Sequence, residues 1–218
     1  MTYHGADCVV ENRMVRKRED RLYEGGLYHL LIDPALVRLR RLIRGQVKPG
    51  TTLIDFGCGT GELLFFLADW CSDLVGVEAS KRMWSYGSRR ARSRGHNKVR
   101  LIYGDGARLD NLPTGSFDYA TSCMVLHEMP GSQRLPVLRE MQRLARTLIL
   151  VDYRVPPPPN LEARIYRLVE RLGGRHHYRN FRSFLNTGGL PPLLKELGLP
   201  IREEISFHRQ CFQLVQAG

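Results

Sequence analysis

The sequence predicts an α/β domain on a mostly parallel sheet with an antiparallel last strand, and three observations carry that prediction. Short β-rich runs alternate with amphipathic helical runs from Thr51 to Val151, the pattern of crossover units laid on a parallel sheet. Gly57, Gly59 and Gly61 follow the first of those runs, where a tight backbone turn passes a strand to a helix. Near the end, Ile201 to Phe207 and Gln210 to Val215 are β-rich runs separated by only His208 and Arg209, too close for a crossover, so they must pair antiparallel.

The elements follow in order. Asp33 caps a helix whose first turn holds Pro34, and Leu36, Val37, Leu39, Leu42 and Ile43 recur at helical spacing with arginines on the other side. Lys48-Pro49-Gly50 turns the chain into Thr51 to Phe56, a short β-rich run that stops at glycine, as a buried parallel strand does. Helix over Glu62 to Trp70, strand over Asp73 to Val77, helix over Lys81 to Arg94 and strand over Val99 to Tyr103 come next. Phe117 to Cys123 is a fourth strand, Ser132 to Leu144 a helix with Leu135, Leu138, Met141 and Leu144 on one face, and Thr147 to Val151 a fifth strand. Beyond the Pro156 to Pro159 run, Leu161 to Leu172 and Pro191 to Leu197 read as helices; Arg175 to Phe181 between them concentrates histidine, tyrosine and arginine, either to bind an anionic or aromatic acceptor or as a solvated basic loop. The expected organisation is an N-terminal arm or lid over residues 1–35, then one domain over 36–218 with a substrate-binding insertion around 156–195. Within the arm, Tyr23 to His29 joins hinge-like glycines to aromatic residues, as lids do.

Composition excludes several classes. The chain has 218 residues, 43% hydrophobic and 25% charged, which suits a globular domain and not a disordered tail or a fibre. Its longest apolar runs, such as Leu63 to Ala68, fall far short of the roughly 18 residues a spanning helix needs, so a soluble cytoplasmic protein is expected. Cysteines at 8, 58, 71, 123 and 211 are odd in number and show no metal-ligand spacing, so neither disulfides nor a structural metal is expected. A net charge of +11 could attract nucleic acid, anionic lipid or an acidic small substrate. Arginines are nevertheless spread from Arg13 to Arg209, which a coding bias explains as readily as a binding patch.

The chemistry concentrates at strand ends. Asp55 to Gly61 is a glycine turn at a helix start, and Glu78, about twenty residues past Gly57, is placed to accept both ribose hydroxyls of a nucleoside. Asp105, Gly106 and Ala107 end the third strand, where a carboxylate and backbone amides could read an adenine edge. Taken singly, Gly57 could serve packing, Glu78 could cap a helix and Asp105 could organise a turn; falling together at consecutive strand ends, they outline an adenosine pocket. The glycines at 57, 59 and 61 depart from the dinucleotide pattern, and Glu62 beside them would repel a pyrophosphate but tolerate a cationic cofactor whose ammonium Asp55 could hold.

On these residues the sequence resembles the class I S-adenosylmethionine-dependent methyltransferases, in particular the broad group that includes ubiquinone-biosynthesis-type enzymes. Asp55 to Gly61 looks like their first motif, Val77 to Met83 like their ribose motif and Tyr103 to Ala107 like their adenine motif. Phe117 to Tyr119 leading to Leu126-His127-Glu128-Met129 is similar to their fourth. The resemblance implies a Rossmann-like seven-stranded sheet with helices on both faces. It also implies S-adenosyl-L-methionine as cofactor, S-adenosyl-L-homocysteine (SAH) as product, and cofactor contacts from Asp55, Gly57, Cys58, Gly59, Gly61, Glu78, Ala79, Asp105, Gly106, Ala107, Cys123 and Met124. Of these, Cys58 is expected to act as a small packing residue.

Methyl transfer from a sulfonium is a direct displacement that needs alignment and dryness, with a base only where the acceptor must lose a proton. His127 and Glu128, after the fourth strand, and His177 and Tyr178, after the fifth, are the expected catalytic candidates. No metal is expected, since His127 and Glu128 are neighbours in sequence and His176-His177 lacks a third ligand at a convincing interval. The expected partner is a small-molecule acceptor. An RNA or protein acceptor is the alternative, suggested by the Arg89 to Arg94 run and not favoured for want of a separate RNA-binding module.

Overall fold

The structure, a computed structural model describing residues 37–218, rests on one seven-stranded sheet of order β3-β2-β1-β4-β5-β7-β6. The expected arm over 1–35, the Tyr23 to His29 lid, the Asp33-Pro34 helix start and Cys8 lie outside the described residues. A first helix, α1, runs over residues 37–46 and buries Leu39 and Ile43. Then come β1 (Thr52–Phe56), α2 (Glu62–Leu67), β2 (Asp73–Glu78), α3 (Lys81–Ser93), β3 (Val99–Tyr103), β4 (Phe117–Cys123), α4 (Gly131–Leu144) and β5 (Ala145–Tyr153). The chain closes with α5 (Leu161–Leu172), α6 (Arg175–Asn186), α7 (Leu190–Glu196), β6 (Ile201–Phe207) and β7 (Phe212–Ala217).

Strands β1 to β5 pair in parallel, and β7 is inserted antiparallel between β5 and β6. β1, β2 and β5 are apolar almost throughout because helices cover the sheet, and their burial removes both faces from water. The chain leaves β1 toward β2 and β3 but returns on the other side to β4 and β5. A crevice therefore opens at the carboxyl ends of β1 and β4, the place where open parallel sheets hold ligands.

Apart from shifts of one or two residues at element ends, four differences from the sequence reading have a physical reason in the structure. α2 stops at Leu67, because the Trp70 indole donates to Val47 O at 2.7 Å and draws the chain back toward the end of α1. β5 starts at Ala145, directly after α4, since Ala145 is buried and pairs with Phe117. The β6–β7 turn spans four residues, with His208, Arg209 and Gln210 all left-handed (φ 49°, 52° and 66°), so Gln210 and Cys211 belong to the turn and the last strand begins at Phe212. Finally, Arg175 to Phe181 is no loop but the first half of α6. Phe181 and Phe184 are buried with Tyr178 and Leu185 packed beside them, a helical period hidden in the sequence by the outward arginines and histidines.

Candidate functional site

The glycine turn after β1 is hooked onto β2, where Gly57 N and Cys58 N both donate to Val77 O at 2.8 and 3.1 Å. Gly57 has φ 73°, and a Cβ there would stand 2.6 Å from the Val125 methyls, so this glycine lets the turn abut the loop that follows β4. Gly59 differs. Its φ is 57°, yet a Cβ would meet nothing nearer than Met83 Sδ at 4.0 Å, so the strain of substitution there is conformational and the space beside it is open. Gly61, at φ 85°, precedes α2. Glu78 is buried at the end of β2 and braces the turn: Oε2 accepts from Gly59 N at 2.8 Å and Oε1 from Ser80 N at 2.7 Å. Helix α3 is capped by Ser80, whose hydroxyl accepts from Met83 N, and not by Glu78.

Asp55 is buried beside this turn and accepts from Thr121 Oγ1 at 2.7 Å. Burial pushes its carboxyl up to about 7; the Thr121 hydroxyl opposes that rise and the neighbouring Glu78 charge adds to it. A cation placed here would restore the carboxylate. Cys58 is an inert packing group: a Cβ on Gly76 would stand 2.5 Å from its Sγ, and burial, with Asp55 and Glu78 nearby, holds its thiol well above the ordinary value. Asp105 is exposed and accepts from Ala107 N at 3.1 Å, while Gly106, with φ 75°, turns the backbone against Phe56. Ala79 is exposed just past β2. Glu62 is ion-paired with Arg90 of α3, so its charge is already compensated and the repulsion expected of it is weakened.

Across the crevice, Met124 is left-handed (φ 58°) and donates its N–H to Val151 O at 2.8 Å, turning the chain out of β4 past the half-buried Cys123. His127 follows, 2% exposed, with Nδ1 at 2.7 Å from Asp152 Oδ1 and its backbone N–H on Asp152 Oδ2 at 3.1 Å. Its Nε2 faces Glu170 Oε1 at 3.7 Å and Glu128 Oε1 at 3.9 Å. Burial alone would lower the imidazole's pKa, but the Asp152, Glu170 and Glu128 carboxylates raise it to about 9, so His127 holds a proton at neutral pH and donates it in hydrogen bonds. Glu170, from α5, accepts from Tyr153 Oη at 2.7 Å and bonds His177 of α6. His127, Glu128 and His177 bring one ligand atom each within 4.8 Å of one another, a spacing that could accommodate a metal ion. Glu170 already engages His177 and Tyr153, so the group is also satisfied as a hydrogen-bond network. Tyr178 packs beside Phe181, 6.2 Å between ring centroids, and joins none of these bonds.

Arg134 of α4 holds this side together. Buried at 1% exposure, it donates to Leu126 O at 3.0 Å, Met129 O at 3.1 Å and Asn180 O at 2.7 Å, and its guanidinium lies over the Phe184 ring. Residues 53–147 match the family model for a methyltransferase domain. Residues 53–147 carry a methyltransferase domain, on the fold of the class I S-adenosylmethionine-dependent enzymes. A demethylmenaquinone methyltransferase of Bacillus pumilus is 33% identical over a stretch covering 46% of this chain, and this chain spans less than half of that relative, 43% of its length. Among solved structures, a protein of Pyrococcus horikoshii OT3 superposes with TM-score 0.65 at 22% identity, over 89% of this chain and 92% of that one. Magnesium protoporphyrin IX methyltransferase of Synechocystis PCC 6803, with bound SAH, does so with TM-score 0.57 at 20% identity, over 95% and 89%. At such identities the two structures establish the fold.

In this methyltransferase domain the sequence-predicted residues fall into two groups. Asp55, Gly57, Cys58, Gly59, Gly61, Glu78, Ala79, Asp105, Gly106 and Ala107 line up along the ends of β1, β2 and β3. Cys123, Met124, His127, Glu128 and His177 gather beyond β4 and β5. Asp152, Tyr153, Glu170 and Arg134 were not foreseen. Asp152 meets His127 across 25 residues and Tyr153 meets Glu170 across 17, and Arg134 binds backbone carbonyls that no side-chain pattern marks, so only the buried polar character of Asp152 and Tyr153, ending an apolar strand, could have pointed to this group. The Arg89 to Arg94 run lies on α3, with Arg90 tied to Glu62 and stacked over Phe65 at 4.8 Å. No described helix is long and apolar enough to cross a membrane.

Proposed function

We propose that the protein transfers a methyl group from S-adenosylmethionine to a small-molecule acceptor by direct displacement, leaving SAH. The observation that carries this reading is the Glu78 brace on Gly59: a buried acid from β2 fixing a glycine turn whose open side, beside Gly59, is a cradle that a Cβ would enter. Those residues fit the cofactor. Glu78 is the residue to meet the ribose, Asp55 the ammonium and the Asp105 to Ala107 turn the adenine, and the raised pKa of Asp55 suits a carboxyl waiting for a cationic partner. When bound, the cofactor supplies an electrophilic methyl carbon on a sulfonium.

The chain's own work is then positioning. Gly57 sets the turn against Val125, two residues before His127, so the acceptor-side loop is held in register with the cofactor side. We assign His127, Glu128, His177 and Tyr178 to the acceptor side, with residues 156–195 as the acceptor-binding insertion. A protonated His127 donates to Asp152 and only faces Glu170 and Glu128, at 3.7 and 3.9 Å, so an acceptor proton goes to Glu128 or to the Glu170–His177 pair. The demethylmenaquinone methyltransferase relative supports an acceptor with an apolar or aromatic skeleton. The test is transfer of labelled methyl from the cofactor to a panel of quinol and phenol acceptors. Labelled low-molecular-weight product with SAH released in equal amount supports the reading; label found only in RNA or protein would overturn it.

A further inference from the structure

Helix α5 has an unusual distribution of side chains. Ala163, Tyr166 and Glu170 face the core, Tyr166 packing on Tyr153 and Phe212. The opposite side should be polar on a helix at a protein's surface. Instead Leu161, Ile165, Leu168 and Leu172 recur there at helical spacing and are 66%, 44%, 58% and 63% exposed. Along one edge of that stripe stand Arg164, Arg167 and Arg171, all exposed, and α6 adds the exposed Arg175, Arg179 and Arg182. None of these six arginines enters an ion pair or a hydrogen bond with the other described residues. Glu162, the remaining acid of α5, is bound by Arg209 of the β6–β7 turn.

We propose that this face of α5 docks on an anionic membrane surface. The stripe is a convex ridge of aliphatic side chains, which a fluid bilayer can surround to the depth of the headgroups, whereas a rigid protein partner would have to supply a matching groove. The arginine edge selects for negative headgroups, in keeping with a chain of net charge +11. A second copy of the chain is disfavoured, since two such faces set together would oppose arginine to arginine. RNA is disfavoured because aliphatic side chains give bases nothing to stack on. Docking here leaves the inner side of α5, which carries Glu170, facing the His127 cluster on the side away from lipid. The proposal does not depend on methyl transfer, and vesicle binding needs neither cofactor nor acceptor, so the two readings fail separately.

The experiment is flotation of the full chain with vesicles of phosphatidylcholine, with and without phosphatidylglycerol. The wild type is expected to partition at least about tenfold better onto the vesicles containing phosphatidylglycerol. Ile165→Glu with Leu168→Glu should lose most of that binding, and Arg164→Glu with Arg167→Glu should lose the preference for anionic lipid; both pairs are exposed, so folding checked by circular dichroism should match the wild type. Binding by the Ile165→Glu, Leu168→Glu variant equal to the wild type would overturn the proposal. So would failure of the wild type to bind either vesicle, or a dimer that this variant dissolves, which would give the face to a second copy.

Discussion

The two sides of the crevice are built by different means. On the β1–β3 side, backbone does the shaping: left-handed glycines, two N–H groups on Val77 O, and a single acid, Glu78, that ties the end of β2 to the turn. On the β4–β5 side, side chains do it: Asp152, His127, Glu170, His177 and Arg134 converge from two strands' ends and three helices. A backbone cradle constrains what it holds by shape and is tolerant of its surroundings. A buried polar cluster depends on every member, because a partner lost leaves a desolvated group behind.

That difference can be broken at several points, and the largest effect should come at the seam. Gly57→Val forces a strained φ and drives a side chain into Val125, so both sides should fail together: SAH binding should fall by roughly a hundredfold or more and the melting temperature should drop. Unchanged calorimetric affinity would mean the two loops do not depend on one another. Arg134→Met comes next. It leaves three backbone carbonyls, two of them in buried bonds, without this donor and should cost on the order of 3 kcal/mol in chemical denaturation, acting on the β4–β5 side while SAH affinity in the folded fraction stays near wild type.

His127→Ala should lower turnover by about a hundredfold with SAH affinity within about twofold. His127→Asn, which keeps a donor for Asp152, should recover stability but only part of the rate. Turnover equal to the wild type in both variants would remove His127 from the residues proposed to act on the acceptor.

The smallest effect sharpens the cofactor side. Asp55 is protonated in the free protein below about pH 7, whereas its unfolded counterpart ionises near 3.8, so the free fold should lose stability as pH rises across that window. Pairing with an ammonium favours the carboxylate, so cofactor binding should release a proton and affinity should rise by about tenfold from pH 6 to pH 8. Asp55→Asn should flatten that profile. A wild-type profile already as flat as the variant's would detach Asp55 from the ammonium.

The same contrast explains what could be read in the sequence. Glycine spacing, Glu78 and Asp105 are local signals, each fixed by its place at a strand end, and the alternation of periods gave the five parallel strands and the reversed last one. The β4–β5 side is legible only where it is local, at His127 and Glu128. Asp152 and Glu170 meet His127 across 25 and 43 residues of sequence, and no spacing rule covers such pairs. α6 does not show in the sequence because its outer face is so basic that it hides the apolar period beneath.

Isothermal titration of SAH into the wild type, Glu78→Ala and Gly59→Val is the most direct measurement. Wild type should bind with one site per chain, Glu78→Ala should bind about ten- to a hundredfold more weakly as charge-assisted bonds and the brace on the turn are lost, and Gly59→Val should not bind because its side chain fills the cradle. Equal affinity across all three would contradict the account.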